Sequence, residues 1–407
     1  MANKIIVVGG GAAGFFAAIA AAKNGADVTV LEKSARFLDK VRISGGGRCN
    51  VTHACFDPSE FSTRYPRGEK ALLSPFSKFS ARDTVAWFES RGGKLKTESD
   101  GRMFPTTDAS QTIVNCLFDA AEKAGVKMRL NCAVESVAKK TGGGFQLQLS
   151  GEEKVSCGKL LLATGGCRAA AAGQLAVSLG HTLVAPVPSL FTFQIESPWL
   201  RLLAGVSLEL AEISVPAAQL RERGPLLVTH WGLSGPAILK MSAWGARALH
   251  DLDYKFPLFV NWLPEFSAEK IAAEFQARRE SAGAKLLVNV PLFPLTARLW
   301  EQLVLAAGIA RDTRWSALTR SQAHALAQQL TRTEFSVTGK SLNKDEFVTC
   351  GGVKLGEVDF KTMESKICPG LFFAGELLDV DGVTGGFNFQ AAWTTGWIAG
   401  HAMAGKL

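Results

Sequence analysis

The chain has 407 residues, 47% of them hydrophobic, with 45 Lys and Arg against 37 Asp and Glu, a formal net charge of +8. That length suits two or three domains, each able to bury a core, and the composition reads as an ordinary soluble globular protein. No block of consecutive Lys or Arg marks a nucleic-acid arm, so no nucleic-acid partner is expected; the positive balance reads as a solvated basic surface that also helps attract an anionic cofactor or substrate.

The eight cysteines (49, 55, 116, 132, 157, 167, 350 and 368) form no C-x-x-C and no Cys/His set with zinc spacing. No metal is expected, and scattered thiols suit a reducing, cytoplasmic setting.

In chain order, KIIVV (4–8) is a short β-branched strand, GGGAAG (9–14) follows, an Ala-rich helix runs to about Asn24, Gly25 ends it, and DVTVLEK (27–33) is a second strand. The apolar run 5–22 reaches the lower length limit of a membrane span, and Lys4 before it imitates a signal peptide. Three adjacent glycines in its middle argue against both readings, and no other stretch resembles a span or a targeting signal. Gly9, Gly11 and Gly14 stand in G-x-G-x-x-G register. The first allows the tight turn, the second the approach of a pyrophosphate to the backbone, and the third close packing of helix on strand. Glu32 closes the second strand where an acid binds the adenosine ribose. An acid there favours an unphosphorylated ribose, hence FAD or NAD rather than NADP.

RISGGGRCNVTH (42–53) places three glycines in a row, which makes neither a good helix nor a packed strand. Cys49 and Cys55 form C-x5-C where flavin disulfide reductases use C-x4-C, and on a helix one residue turns the second thiol by about 100°. A thiol packed beside the cofactor is therefore preferred to a catalytic disulfide, although Arg48 next to Cys49 would lower the thiol pKa. His53 and Cys55 are conceivable points of covalent attachment. Residues 134–164 read as a β-meander of AVESVAK, FQLQL and KLLLAT, the last running into the strand-to-glycine turn ATGG with Thr164 and Gly165.

Residues 188–342 read as an inserted domain, giving the layout 1–187, 188–342 and 343–407. It has strand-like segments at 186–195, 206–215 and 255–264, then helices at 267–283, capped by Ser267 and ended at Gly283, at 295–308 and at 321–330. It is expected to lid the cofactor and shape the substrate pocket. Its THWGLSGP (229–236) carries His230, and a histidine side chain can serve as acid or base. The plainer reading is a His satisfying a turn and Trp231 filling a core. Near the C-terminus, residues 370–400 give an apolar strand, the acidic pair Gly375-Glu376, and the double glycine Gly385-Gly386 opening a helix, whose free N–H groups can face an anion or the electron-rich edge of a flavin. No second G-x-G-x-x-G follows a strand, so any NAD(P)H docks transiently.

VVGGGAAG, SGGGRCNVTH, GRMFPTTDAS, THWGLSGPAIL, TCGGV and FAGELLDVDGVTGGFNFQAAWTTGWIAG follow one another across almost the whole chain. On these stretches the sequence resembles the YhiN/BaiN flavoprotein family, the bile-acid enone reductase-like or aminoacetone-oxidase-family FAD-binding enzymes. The resemblance implies an α/β fold: a Rossmann-like FAD-binding domain of glutathione-reductase type with an inserted domain of β-barrel-like strands plus helices. It implies noncovalent FAD on Gly11, Ala12, Ala13, Glu32, Lys33, Gly46, Gly47, Arg48, Val134, Glu376, Asn388 and Phe389, with Gly9, Gly14, Thr164, Gly165, Gly375, Gly386 and Phe387 beside them. Glu376 takes the place of an acid near the ribityl chain, and Asp379 and Asp381 cap or brace the loop. The implied activity is hydride transfer between flavin N5 and a small organic substrate. It is either NAD(P)H-linked reduction of an activated double bond or oxygen-dependent oxidation of a small amine. A non-catalytic flavin-binding regulator and a nucleic-acid-modifying flavoprotein are the rivals. No catalytic base is assigned; His230 and Cys49 are the candidates. The oligomeric state stays open.

Overall fold

The computed structural model describes residues 4–167, 170–341 and 348–406. The chain divides into two compact units, residues 1–189 with 343–407, and residues 190–342. The border at 342/343, also the expected one, lies outside the described residues.

The first unit is built on a seven-stranded sheet in the order Val358–Asp359, Glu364–Ser365, Leu371–Phe373, Lys159–Leu162, Lys4–Val8, Asp27–Leu31, Lys127–Arg129. The last five of these run parallel. Lys159–Leu162 and Leu371–Phe373 are almost wholly buried, as expected of parallel strands covered on both faces. The helix Ala12–Lys23 buries nine consecutive residues, Ala13 to Ala21, because it is apolar all round and packs between the sheet and the C-terminal helix Phe387–Met403. A Cβ on Gly396 would lie 2.4 Å from the Ala13 carbonyl oxygen, and one on Gly400 2.4 Å from that of Ala17, so the two helix backbones touch. The apolar run 5–22 is thus strand plus buried helix, and among the described residues no helix is long and apolar enough to cross a membrane.

The meander differs from expectation. Its third strand is Lys154–Cys157, paired with Phe145–Leu149, which also pairs with Val134–Lys139. KLLL instead enters the main sheet beside Lys4–Val8. KVSC is short and half polar, and a single residue, Gly158, separates it from KLLL, so its identity as a strand is weak in sequence. A small antiparallel sheet of Thr52–His53, Arg102–Pro105 and Leu95–Thr97 carries the end of the glycine-rich loop.

The second unit is a closed barrel in the order Thr192–Ile195, Gly232–Ser234, Leu220–Thr229, Ser207–Val215, Phe256–Asn261, Thr333–Ser341. The helices Ala268–Ala282, Ala297–Ala306 and Arg320–Arg332 share its core, where Trp262, Trp300 and Trp315 are fully buried. Ser267 caps the first of them by accepting a hydrogen bond from the Lys270 N–H. Strands 220–229 and 333–341 were not foreseen: the first is interrupted by Gly224-Pro225 and exposes Leu227, and the second buries only Thr333, Phe335 and Val337 before a polar end. The α/β Rossmann-type fold with an inserted barrel and helices is the fold of this protein.

Candidate functional site

Four neighbouring parallel strands deliver their carboxyl ends to one edge of the sheet. Val8 leads into Gly9, Leu31 into Glu32, Leu162 into Ala163 and Thr164, and Phe373 into Gly375 and Glu376. The first strand lies between one that follows it through a helix and one that arrives 150 residues later, which is the switch point where open α/β sheets bind ligands.

At this edge Gly9 has φ +111°, and a Cβ there would lie 2.2 Å from the Ala163 carbonyl oxygen. A Cβ on Gly14 would lie 2.0 Å from the Gly9 carbonyl oxygen. Side chains at either position would push apart the two turns and the helix. The helix starts after Gly11 with no side-chain cap, so its first N–H groups have no acceptor within the helix. Ala12 is half-buried and Ala13 buried. Glu32 accepts the Gly10 N–H on one carboxylate oxygen and the Ser34 N–H on the other, each at 2.8 Å. Each oxygen keeps a further lone pair. Lys33 is exposed, Val134 opens its strand half-buried, and Thr164 and Gly165 are half-buried in their turn.

The helix Asp39–Gly47 is regular only to Ile43: Ser44 is extended, and Gly45, Gly46 and Gly47 have φ of +58°, +68° and +85°. A Cβ on Gly46 or Gly47 would meet nothing within 4 Å. Gly46 and Gly47 serve a left-handed run that other residues resist, not clearance from protein atoms, whereas a Cβ on Gly45 would also crowd the Phe104 ring at 3.0 Å. Arg48 places its guanidinium 2.6 Å from Glu98 Oε1, 3.5 Å from Asp108 Oδ1, and 4.0 Å over the Phe104 ring. The hydrogen bond to Glu98 raises its pKa.

Arg48 does not activate Cys49. The thiol is fully buried, and burial pushes its pKa up to about 12 against a hydrogen bond from Ser44. Cys49 and Cys55 are both free thiols. His53 stacks on Phe387 at 4.9 Å, its Nε2 lies 3.1 Å from the Asp100 carbonyl oxygen, and burial lowers its pKa.

In the C-terminal segment the Gly375 N–H donates to Thr395 Oγ1 at 2.9 Å. Glu376 accepts from the Thr349 N–H at 3.0 Å and from Lys40 Nζ at 2.6 Å. The helix Phe387–Met403 starts on Gly386, φ +92°, without a side-chain cap. Gly386 is not a free donor: with the Asn50 amide oriented by its hydrogen bonds, the Gly386 N–H reaches Asn50 Oδ1 at 3.0 Å. The uncapped donors are those of Phe387, Asn388 and Phe389. The Asn388 amide brackets Gly382, bonding its N–H and its carbonyl at 2.9 Å each. Phe387 is buried against Phe61 and Tyr65, and Phe389 stacks on Trp393. Asp381 is fully buried, pairs with Arg67, and accepts the Ser189 hydroxyl at 2.7 Å, so it braces the loop. Burial raises its pKa while Arg67 and Ser189 oppose the rise.

His230 lies in the barrel unit, in the two-residue turn between Leu220–Thr229 and Gly232–Ser234. Trp231 beside it is 67% exposed and fills no core. Ser234 is hydrogen-bonded to Thr192 at 3.1 Å. Among the described residues no cluster of His, Cys, Asp and Glu is arranged to hold a metal ion. Lys40, Asn50, Arg67, Thr349 and Thr395 were missed by sequence reasoning, since each acts through a partner on a different element that no local spacing links to it.

A family model described as the HI0933-like protein Rossmann domain matches residues 3–402. A protein of Escherichia coli (strain K12) named ribosomal RNA dihydrouridine synthase is 33% identical over 96% of each chain. A 3-dehydro-bile acid delta(4,6)-reductase of Clostridium scindens is 29% identical over 99% of each. Among solved structures, the 3-ketosteroid-delta4-(5alpha)-dehydrogenase of Rhodococcus jostii RHA1 shares the fold, with a TM-score of 0.52 at 16% identity, covering 98% of this chain and 96% of that one. The chain belongs to the HI0933-like family and is an FAD-dependent oxidoreductase.

Proposed function

We propose that this chain reduces a carbon–carbon double bond conjugated to a carbonyl, using NAD(P)H as donor, and that its substrate is uridine in ribosomal RNA. One observation carries the reading: two relatives of nearly full coverage, named for different substrates, share that reaction class. Dihydrouridine is uridine saturated at C5–C6, a bond conjugated to the C4 carbonyl. A 3-dehydro-bile acid unsaturated at C4 carries the same arrangement in a steroid ring. The RNA substrate is favoured by the higher identity, 33% against 29%, and by the +8 charge, which suits a phosphate backbone. This revises the expectation of no nucleic-acid partner, since a folded surface attracts phosphate without a run of Lys or Arg.

The residues fit FAD. The Gly9–Gly14 turn, which a Cβ would close, and the uncapped helix behind it suit the pyrophosphate. Glu32 has lone pairs for the ribose hydroxyls. The Gly46–Arg48 loop, Thr164–Gly165, Val134, Gly375–Glu376 and the N–H groups of Phe387 to Phe389 hold the rest. Arg48 contributes backbone and charge, because Glu98 and Asp108 engage its side chain. Bound FAD supplies the hydride-carrying centre; the protein supplies position, electrostatics and exclusion of water.

The test is anaerobic. Yellow protein is mixed with NADH or NADPH, then with a uridine-containing rRNA transcript or a 3-keto-Δ4 steroid. Rapid flavin bleaching, return of colour with the transcript, and dihydrouridine in the digested RNA are expected. Return of colour with the steroid alone makes the enzyme a small-molecule enone reductase. Bleaching by amines alone makes it an oxidase, and no bleaching by any donor makes it a regulator.

A further inference from the structure

The turn at His230 and Trp231 carries two side chains that the fold does not need. The hairpin is closed by Thr229, whose Oγ1 accepts the Trp231 N–H at 3.3 Å and donates to the Gly232 carbonyl at 3.1 Å. Two-residue hairpin turns favour Asn-Gly or Gly-X, and a His-Trp pair contributes nothing to that geometry. Trp231 stacks on no described ring and its indole N–H has no described acceptor, at 67% exposure. Leaving so large an aromatic surface in water forgoes its burial energy.

The neighbouring segment carries exposed apolar and charged side chains. The Trp231 carbonyl accepts the Ile195 N–H at 2.9 Å, which seats the turn beside the strand that leads into the helix Pro198–Arg201. The segment after that helix runs along the same hairpin, with Gly205 N–H on the Val228 carbonyl and Val228 N–H on that of Val206, both at 2.9 Å. Leu202, 62% exposed, lies in this segment, and the Arg298 guanidinium donates to its carbonyl. Arg201 and Arg298 are exposed and form no ion pair with a described residue; the exposed acid of this segment is Glu196.

An unpartnered aromatic on a turn, with arginines that form no described ion pair on the segment and helix next to that hairpin, is the equipment for holding single-stranded nucleic acid, where a base stacks on the ring and cations track the phosphates. We infer that this end of the barrel, centred on Trp231 with Arg201 and Arg298, holds a single-stranded segment of the RNA substrate by stacking a base on Trp231. The inference rests on the proposed rRNA reading and adds a surface and a contact to it.

The test uses the FAD-loaded full chain and a labelled single-stranded transcript of uridine-containing rRNA, with anisotropy for binding and nucleoside mass spectrometry for dihydrouridine. Trp231→Ala weakens transcript binding by about tenfold or more, and Trp231→Phe keeps most of it. Arg201→Gln lowers the slope of log affinity against log salt by about 0.7. Melting temperature and flavin spectrum verify that each variant is folded. Wild-type conversion with unchanged binding by Trp231→Ala overturns the inference and leaves the rRNA reading standing. A wild type that neither binds nor converts the transcript overturns both. A change in sedimentation of Trp231→Ala with RNA binding intact marks the patch as a self-association surface and also overturns the inference.

Discussion

Lys40 and Glu376 stand 336 positions apart and are joined by a 2.6 Å hydrogen-bonded ion pair. Glu376 also accepts the Thr349 N–H, so one carboxylate ties together the segment after the second strand, the strand at Val348–Val353 and the turn after Leu371–Phe373. The Lys40 side chain is 55% exposed, and such a pair is worth less than about 1 kcal/mol. Lys40→Met is therefore expected to be nearly silent. Glu376→Ala leaves the Thr349 N–H without its acceptor, and FAD retention on desalting falls well below that of Glu376→Gln, which keeps an acceptor oxygen. Equal retention by Ala and Gln would remove Glu376 from the cofactor site.

Glu32→Ala removes the acceptor of two backbone N–H groups as well as the expected ribose contact. Hydrogen bonds to a charged group contribute about 1.5–3 kcal/mol each. The apo-protein is expected to melt lower, and FAD affinity to fall further than the loss of stability accounts for. Fluorescence titration beside apo-protein melting separates the two effects, and losses that match would confine Glu32 to bracing the glycine turn.

Cys49, with its thiol near 12, stays protonated at about pH 8 and is shielded from reagents. Alkylation of the native protein is expected at the half-buried Cys55 and Cys132 first, with Cys49 labelled only after unfolding. Cys49→Ser should keep the flavin spectrum and turnover. Lost turnover beneath an intact flavin spectrum would return the thiol to the chemistry.

His181 has a fully buried side chain between Glu357, 3.1 Å from Nδ1, and Ser365, 2.8 Å from Nε2. Burial holds its pKa below the ordinary 6.5, with Glu357 acting the other way. The neutral ring is the folded form, while the unfolded chain takes up a proton at its higher pKa. Its contribution to stability is complete above about pH 6.5 and is lost as pH falls through the folded value. His181→Gln should flatten the decline of melting temperature between about pH 7 and 5. An unchanged decline would assign it to other groups.

The glycine turn and Glu32 were legible because a strand, a turn, a helix and a strand follow one another within 33 residues and are shaped by local rules. Arg48 shows where such reading stops. Its partners Glu98 and Asp108 lie just after the strands Leu95–Thr97 and Arg102–Pro105, and no spacing announces that pairing. The three glycines of the loop were recognised, but not the left-handed run they form, with φ of +58°, +68° and +85°, because a glycine run in sequence carries no sign of its backbone angles. The turn at His230 was read from the sequence, but Trp231 was placed in a core, and only the pairing of Thr229 with Gly232 shows that it shares the exposed turn.

The sheet closes only when Leu371–Phe373 pairs with Lys159–Leu162, and the first helix is covered only when Gly396 and Gly400 come to rest on Ala13 and Ala17. The barrel, by contrast, is one uninterrupted stretch of chain. On the ribosome the barrel can fold while the nucleotide-binding unit still waits for its final strand and helix. A chain that ended before residue 371 would carry every strand of the barrel, while the sheet would lack Leu371–Phe373 and the first helix its cover.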